Sequence, residues 1–263
     1  MSAVKIRRLN MDTSWEIQWG ESTIIIDPWL VGSEIDYFSW FNEQWHTTEP
    51  ISLDEINTPD FVLISQSYSD HCHEETLRLF SDDIPILASP KAYQRLKKSL
   101  PDKRLIALPI MSNDGFLDFE GLKIATIDPG KWMDPIYYSH VILNGSEAIF
   151  YSSHGFDLSS FQLDILKPYQ FSVLMTSFSQ IELPSILGGK VNPGIENVKS
   201  LIDQLNPAYL MNTHDEKKEH SGLVMKLAKT KYPSLDNLSF SGTNFINIKD
   251  YAFREINGAG RTL

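Results

Sequence analysis

The sequence has a single cysteine, Cys72, so no internal disulfide can form, and nothing else in the composition points to an oxidising compartment. No stretch approaches the ~20 apolar residues that a membrane-spanning helix needs. Near the N-terminus Lys5, Arg7 and Arg8 are not followed by an apolar run of signal-peptide length. A soluble, cytoplasmic protein is therefore expected. Basic residues are in deficit, 23 against 34 acidic ones, for a net charge of −11. That balance argues against nucleic acid or an anionic membrane as partner and leaves a small-molecule substrate as the expected one. A Gly-rich phosphate loop and a Gly-x-Ser-x-Gly elbow are both missing, so nucleotide binding and serine hydrolysis lack support. No repeat, linker or low-complexity tract interrupts the chain, and residues 1–263 are read as one domain. Its oligomeric state is left open.

What is present suits a layered α/β fold: 42% hydrophobic and 11% aromatic residues, enough for a large core. Residues 4–9, 14–19 and 22–27 alternate as a strand meander with turn signals between them. Residues 85–88, 90–99 and 105–108 read as β-α-β, with Pro90 in the first helical turn. Two hairpins follow, 116–119 with 122–127 around Glu120-Gly121, and 138–143 with 148–151 around Asn144-Gly145. Helices are expected at 156–166, 195–205 and 221–231, and strands at 171–175, 209–212, 238–240 and 245–248. Residues 177–193 read as a long loop, and Ser52 with Glu55 has capping-box spacing for a short helix.

Chemistry-bearing side chains are densest between Pro59 and Leu79. Phe61, Val62, Leu63 and Ile64 read as a buried strand, followed by Ser65, Gln66, Tyr68, Asp70, His71, Cys72 and His73 before a helix over 74–80. Side chains at the carboxyl end of such a strand are where α/β proteins build sites. Cys72 alternates away from its neighbours and reads as a small buried hydrophobe; His73 either faces the site or caps the helix. The aromatic stretch from Trp29 to Pro50, with Trp40, Phe41 and Trp45, either lines a substrate pocket or plugs the core. After His214 the run Glu216-Lys217-Lys218-Glu219-His220 reads as a solvated charged face.

The strand and loop at 61–71 resemble the signature of the metallo-β-lactamase fold hydrolases, a strand followed by Ser-His-x-His-x-Asp-His; here the letters are Ser65-Gln66-Ser67-Tyr68-Ser69-Asp70-His71. Three more landmarks come in the family's order. Ile24 to Pro28 is similar to its early strand ending in aspartate, Ala148 to His154 to its strand before Gly-Asp, and Leu210 to His214 to its last strand ending in histidine. The resemblance implies a four-layer αββα sandwich. It also implies metal binding through Asp70, His71 and His214, while Gln66 and Tyr68 stand where the family's first pair of histidines would be. His154 stands at its bridging aspartate. A further histidine is expected near 128–135, which contains none; His140 is nearby but falls in a strand. Asp27 is expected to order the loop rather than to ligate.

Gln and Tyr are poor substitutes for imidazole, and loss of the bridging carboxylate leaves nothing to separate two dications. The expected site is therefore mononuclear: one divalent ion, zinc first, with iron or manganese as alternatives. With Asp70 and Tyr68 as catalytic groups, such a site would hydrolyse a small ester, lactone, amide or phosphodiester. If His154 also ligates, protein fills the tetrahedron and the metal is structural. The alternative is an inactive relative that keeps the fold as a small-molecule or protein binding module.

Overall fold

The computed structural model describes residues 3–129, 137–185 and 189–257. The alternating N-terminal sequence forms an antiparallel meander of β1 (Val4–Arg8), β2 (Trp15–Trp19) and β3 (Ser22–Ile26), with Ile6 opposite Ile17 and Ile17 opposite Ile24. A small hairpin of β4 (Glu34–Ile35) and β5 (Asn42–Trp45) follows. The chain re-enters the sheet as β6 (Phe61–Ile64), parallel to β3. Helix α1 (Glu74–Leu79), β7 (Ile86–Ala88), α2 (Pro90–Ser99) and β8 (Leu105–Ala107) then add two parallel strands.

The one-turn helix α3 (Met111–Asp114) leads into a second meander: β9 (Leu117–Phe119), β10 (Leu122–Ile127), β11 (Ser139–Asn144) and β12 (Glu147–Ser152). Glu120 and Gly121, at φ +46° and +74°, make the tight β9–β10 turn in the left-handed region that such hairpins require. Helix α4 (Ser160–Leu166) and β13 (Gln170–Thr176) come next. The hairpin β14 (Gln180–Glu182) and β15 (Lys190–Pro193) leads to α5 (Ile195–Leu205) and β16 (Tyr209–Asn212). The chain continues through β17 (Glu219–Gly222), α6 (Val224–Leu227), β18 (Lys229–Lys231), β19 (Asn244–Phe245) and β20 (Arg254–Ile256).

Two seven-stranded sheets result, in the orders β20-β1-β2-β3-β6-β7-β8 and β19-β16-β13-β12-β11-β10-β9. Their inner faces meet in one core, with Ile6, Ile17, Ile24, Phe61 and Leu63 opposed by Ile124, Ile142, Ile149, Val173 and Met211. On the outside of the first sheet, Val62, Ile64 and Ala88 pack against Leu77 of α1 and Leu96 of α2. On the outside of the second, Phe150, Leu174 and Leu210 pack against Leu166 of α4 and Leu201 of α5. This is the expected αββα sandwich, and it explains the continuous apolar runs in strands such as β6, which are covered on both faces. Among the described residues no helix is long and apolar enough to cross a membrane.

Several local expectations are corrected. Residues 221–231 form no continuous helix: β17 pairs with β5 and β18 with β14, leaving one helical turn between them. Leu223 and Leu227 are about half exposed, so that turn has no core face to dock, and packing rather than propensity supports helices in proteins. Ser52 caps nothing; its hydroxyl bonds the Asp54 carboxylate beside a single 3-10 turn. The helix expected from 156 starts at Ser160, where Ser159 and Gln162 form a capping box, while Phe156 and Leu158 run into the core ahead of it. The loop at 177–193 contains a hairpin. The aromatic insert is no plug: Trp29 is buried, but Tyr37, Phe38 and Trp40 are exposed.

Candidate metal centre

Strands β1, β3 and β6 point the same way, as do β12, β13 and β16, and the loops after them share one rim of the sandwich. Three imidazoles converge there. His71 follows β6, His154 follows β12 and His214 follows β16, and the three offer ring nitrogens within 4.8 Å of one another. His71 Nε2 and His154 Nε2 are 3.2 Å apart. Asp70 joins them, with Oδ1 3.8 Å from His71 Nε2 and Oδ2 3.7 Å from His214 Nε2. Donors around a tetrahedral zinc sit about 3.3 Å apart, given metal–nitrogen bonds of about 2.0–2.1 Å. All four residues are buried, with His71 fully sealed and a little solvent access at the other three.

Each ring is aimed by a partner on its other nitrogen. His71 Nδ1 bonds Asp27 Oδ2 at 2.8 Å, His154 Nδ1 bonds Asn192 Oδ1 at 2.8 Å, and His214 Nδ1 bonds Asp12 Oδ2 at 3.2 Å. Because those oxygens accept, the rings donate from Nδ1 and turn Nε2 lone pairs toward one another. Three Nε2 atoms converging in a buried space need a proton or a metal ion between them, and the donor set fits a divalent metal ion.

The anchors are themselves held. Asp27 accepts from the Ser65 hydroxyl, from Ser65 N at 2.7 Å and from Tyr151 Oη at 3.0 Å, so it orders the loop as expected. Asn192 donates to Ser177 Oγ and Ser179 Oγ, both at 2.9 Å, which fixes its oxygen toward His154. Asp215 in turn accepts from Ser177 Oγ and from the backbone N–H groups of Phe178 and Ser179. Gly155, at φ +73°, lets the chain leave His154 sharply; a Cβ there would lie 2.6 Å from Asn197 Oδ1 and from Pro193 Cγ.

The local field favours positive charge at the centre. Burial disfavours an imidazolium at His71, yet Asp70 and Asp27 outweigh it and push His71 up to about 9. Burial would raise Asp70, but His71, Lys218 and His214 hold it well below the usual carboxylate range. His154, buried beside His214 and His71, is driven well below its ordinary value and stays neutral.

Sequence reasoning missed three contributors. Asp12 lies in the β1–β2 turn; β1 runs with β3, so that turn falls on the same rim, a signal present in the meander pattern. Asn192 lies on β15, inside the stretch read as loop. Lys218, read as solvated, has a side chain only 9% exposed, with Nζ 2.6 Å from Asp12 Oδ2 and 3.4 Å from Asp70 Oδ2. Its loop is pinned by Glu216, which bonds His46 Nδ1 at 2.7 Å and the backbone of Thr47 and Thr48.

Gln66 and Tyr68 stay outside the cluster. Gln66 makes a two-way amide pair with Tyr138, Nε2 to O at 2.6 Å and Oε1 from N at 3.2 Å. Tyr68 packs on Tyr137, ring centroids 5.8 Å apart, and it is Tyr137 that lies 4.0 Å over His154. His73 caps α1, accepting from Thr76 N, and Cys72 is buried in the outer core. His140 sits in β11 facing away from any polar partner, with burial pushing it down to about 4. Of the stretch 128–135, residues 130–135 lie outside the described part.

The sequence profile of the beta-lactamase superfamily domain matches residues 10–214, most of the chain, and spans every one of the centre's donors. The chain belongs to this superfamily, and its fold is that of the metallo-β-lactamases. Solved structures share that fold. Igni18, a novel metallo hydrolase from Ignicoccus hospitalis, is 14% identical with a TM-score of 0.67, over 97% of this chain and 99% of that one. An isothiocyanate hydrolase from Delia radicum gut bacteria is 16% identical with a TM-score of 0.62, over 83% and 86%. The metallo-beta-lactamase fold protein YhfI from Bacillus subtilis is 12% identical with a TM-score of 0.58, over 97% and 100%. No curated protein matches the chain.

Proposed function

We propose that this protein is a hydrolase dependent on one divalent metal ion, held by His71, His154 and His214, with Asp70 beside the ion on the solvent side and the fourth position left for water or substrate. The observation that carries this reading is the convergence of three Nε2 atoms whose rings are each anchored through Nδ1. Three imidazoles suit zinc first, then iron or manganese. When bound, the ion supplies Lewis acidity and lowers the pKa of water toward roughly 7.

The chain's own residues do the rest. Asp70 remains ionised and keeps some solvent access, so it can accept a hydrogen bond that positions a water beside the ion. Burial raises the phenols of Tyr68 and Tyr137, so both stay protonated; Tyr137 donates to Tyr68, which leaves the Tyr68 hydroxyl to donate to a developing oxyanion. Lys218 holds Asp70 in place. The substrate class is a small ester, lactone, amide or phosphodiester. The exposed aromatic hairpin with Tyr37, Phe38 and Trp40 favours a second reading, a metal-holding binding module without turnover.

The test is elemental analysis of protein purified without chelator or a histidine tag, wild type beside His214→Ala and His154→Ala, followed by ester, lactone and phosphodiester turnover assays. About one equivalent of metal in wild type, little in the variants, and chelator-sensitive turnover are expected from a three-imidazole site. Metal without turnover would select the binding reading. Absence of metal after incubation with excess divalent ions would overturn both.

A further inference from the structure

Next to the three-histidine cluster is a second group with the donors of a cation site. Asp12, Asp70 and His214 offer ligand atoms within 4.8 Å of one another, all three are buried, and His214 belongs to both groups. This second position is filled. The Lys218 ammonium lies 2.6 Å from Asp12 Oδ2 and 3.4 Å from Asp70 Oδ2, with its nitrogen 5.4 Å from the centre of the Trp29 ring. Taking an ammonium out of water is costly unless carboxylates compensate, and here two do.

We propose that Lys218 is a tethered second cation: its ammonium occupies the place between Asp12 and Asp70 that a second divalent ion would take, and so fixes the centre at one metal. The inference rests on the single-metal reading above. Charge balance agrees with it. Asp12, Asp27 and Asp70 are the carboxylates in contact with the three histidines, and one dication with one ammonium neutralises them. A second dication beside Lys218 would leave the buried cluster with excess positive charge. Geometry agrees too. Glu216 clamps the loop to His46 and to the backbone at 47–48, Thr47 Oγ1 bonds Lys217 O, and Lys217 points outward, so the next side chain is directed inward. One residue of register decides which lysine reaches the carboxylates.

The test compares metal stoichiometry in wild type, Lys218→Ala, Lys218→Arg and the double variant Lys218→Ala with Asp12→Asn, each loaded with excess zinc, desalted and analysed for bound metal. The expected result is about one equivalent in wild type and Lys218→Arg, about two in Lys218→Ala, and a return to about one in the double variant, since a site needs its full donor set. One equivalent in both wild type and Lys218→Ala overturns this proposal and leaves the single-metal reading standing. Two in wild type overturns both, and none in wild type overturns the metal reading itself. Should Lys218→Ala be insoluble, Lys218→Ser expressed in zinc-supplemented medium takes its place. Insolubility of both with zinc present also counts against the proposal, because a second zinc ion would supply the charge that the ammonium had supplied.

Discussion

The two halves of the loop from Ser65 to His71 do different work. Asp70 and His71 turn into the cluster, where His71 is sealed from solvent and fixed by Asp27. Gln66 and Tyr68, only a few residues earlier, turn toward the other sheet's loop and hold Tyr138 and Tyr137. An amide has a donor and an acceptor and can pair with both backbone groups of one residue, as Gln66 does with Tyr138; an anchored imidazole presents one ring nitrogen, as His71 does. Gln66 and Tyr68 therefore act as a clamp. That clamp positions Tyr137 over His154, so the half of the loop without ligands still shapes the centre.

The sharpest way to break this contrast is at an anchor. Asn192→Ala removes the oxygen that orients His154 without touching a donor, and metal affinity is expected to fall about 10–100-fold, the usual cost of losing a partner behind a ligand. Competition with a chromophoric chelator measures this, with thermal unfolding of the apo protein as control. Unchanged affinity would mean that His154 is aimed by packing alone.

On the clamp side the readouts should exchange. Gln66→Ala deletes two buried hydrogen bonds and leaves the Tyr138 N–H and C=O without these partners, for a loss of about 1–3 kcal/mol of stability in urea unfolding. Its metal content should equal that of wild type. A drop in metal content with stability intact would reverse the assignment of the two halves.

The smallest effect lies at the boundary between them, where Ser69 Oγ bonds Glu34 Oε2 at 2.5 Å and Asp36 Oδ1 at 2.9 Å. Burial, then Asp36 and Asp70, raise Glu34 from 4.5 to about 8. The folded state keeps this proton where the unfolded chain releases it. The resulting stability is complete below about pH 4.5 and is lost as pH rises through about 8. Wild type should thus lose melting temperature between pH 5 and about pH 8 more steeply than Glu34→Gln, which has no proton to lose. Parallel curves from scanning calorimetry would show that Glu34 titrates normally.

Much of the fold was legible because its signals are local. The β1–β2–β3 alternation, Glu120-Gly121 and Asn144-Gly145 between apolar runs, and Pro90 opening α2 each dictate a conformation within a few residues. The failures occurred where local signals were weak and partners distant. Residues 221–231 carry mixed polarity, and their backbone is claimed by β5 and β14, from remote parts of the chain. Of the candidate donors, Asp70, His71, His154 and His214 could be picked out through the resemblance of the strand-end landmarks that carry them. Asp12, Asn192 and Lys218 could not, because each matters only through a neighbour that the sequence does not name.

The sequence by itself determined most of the strands and turns, since alternation and turn residues act within a few positions, while the two-sheet sandwich and its rim were implied by the resemblance of its four landmarks to a known family. Tertiary structure alone decided that His154 meets His71 and His214 rather than facing the core, that Gln66 became a clamp, and that Lys218 rather than Lys217 reaches Asp12 and Asp70. Those outcomes depend on angstrom-scale distances between loops far apart in the chain, and such distances are fixed only when the core between the sheets closes.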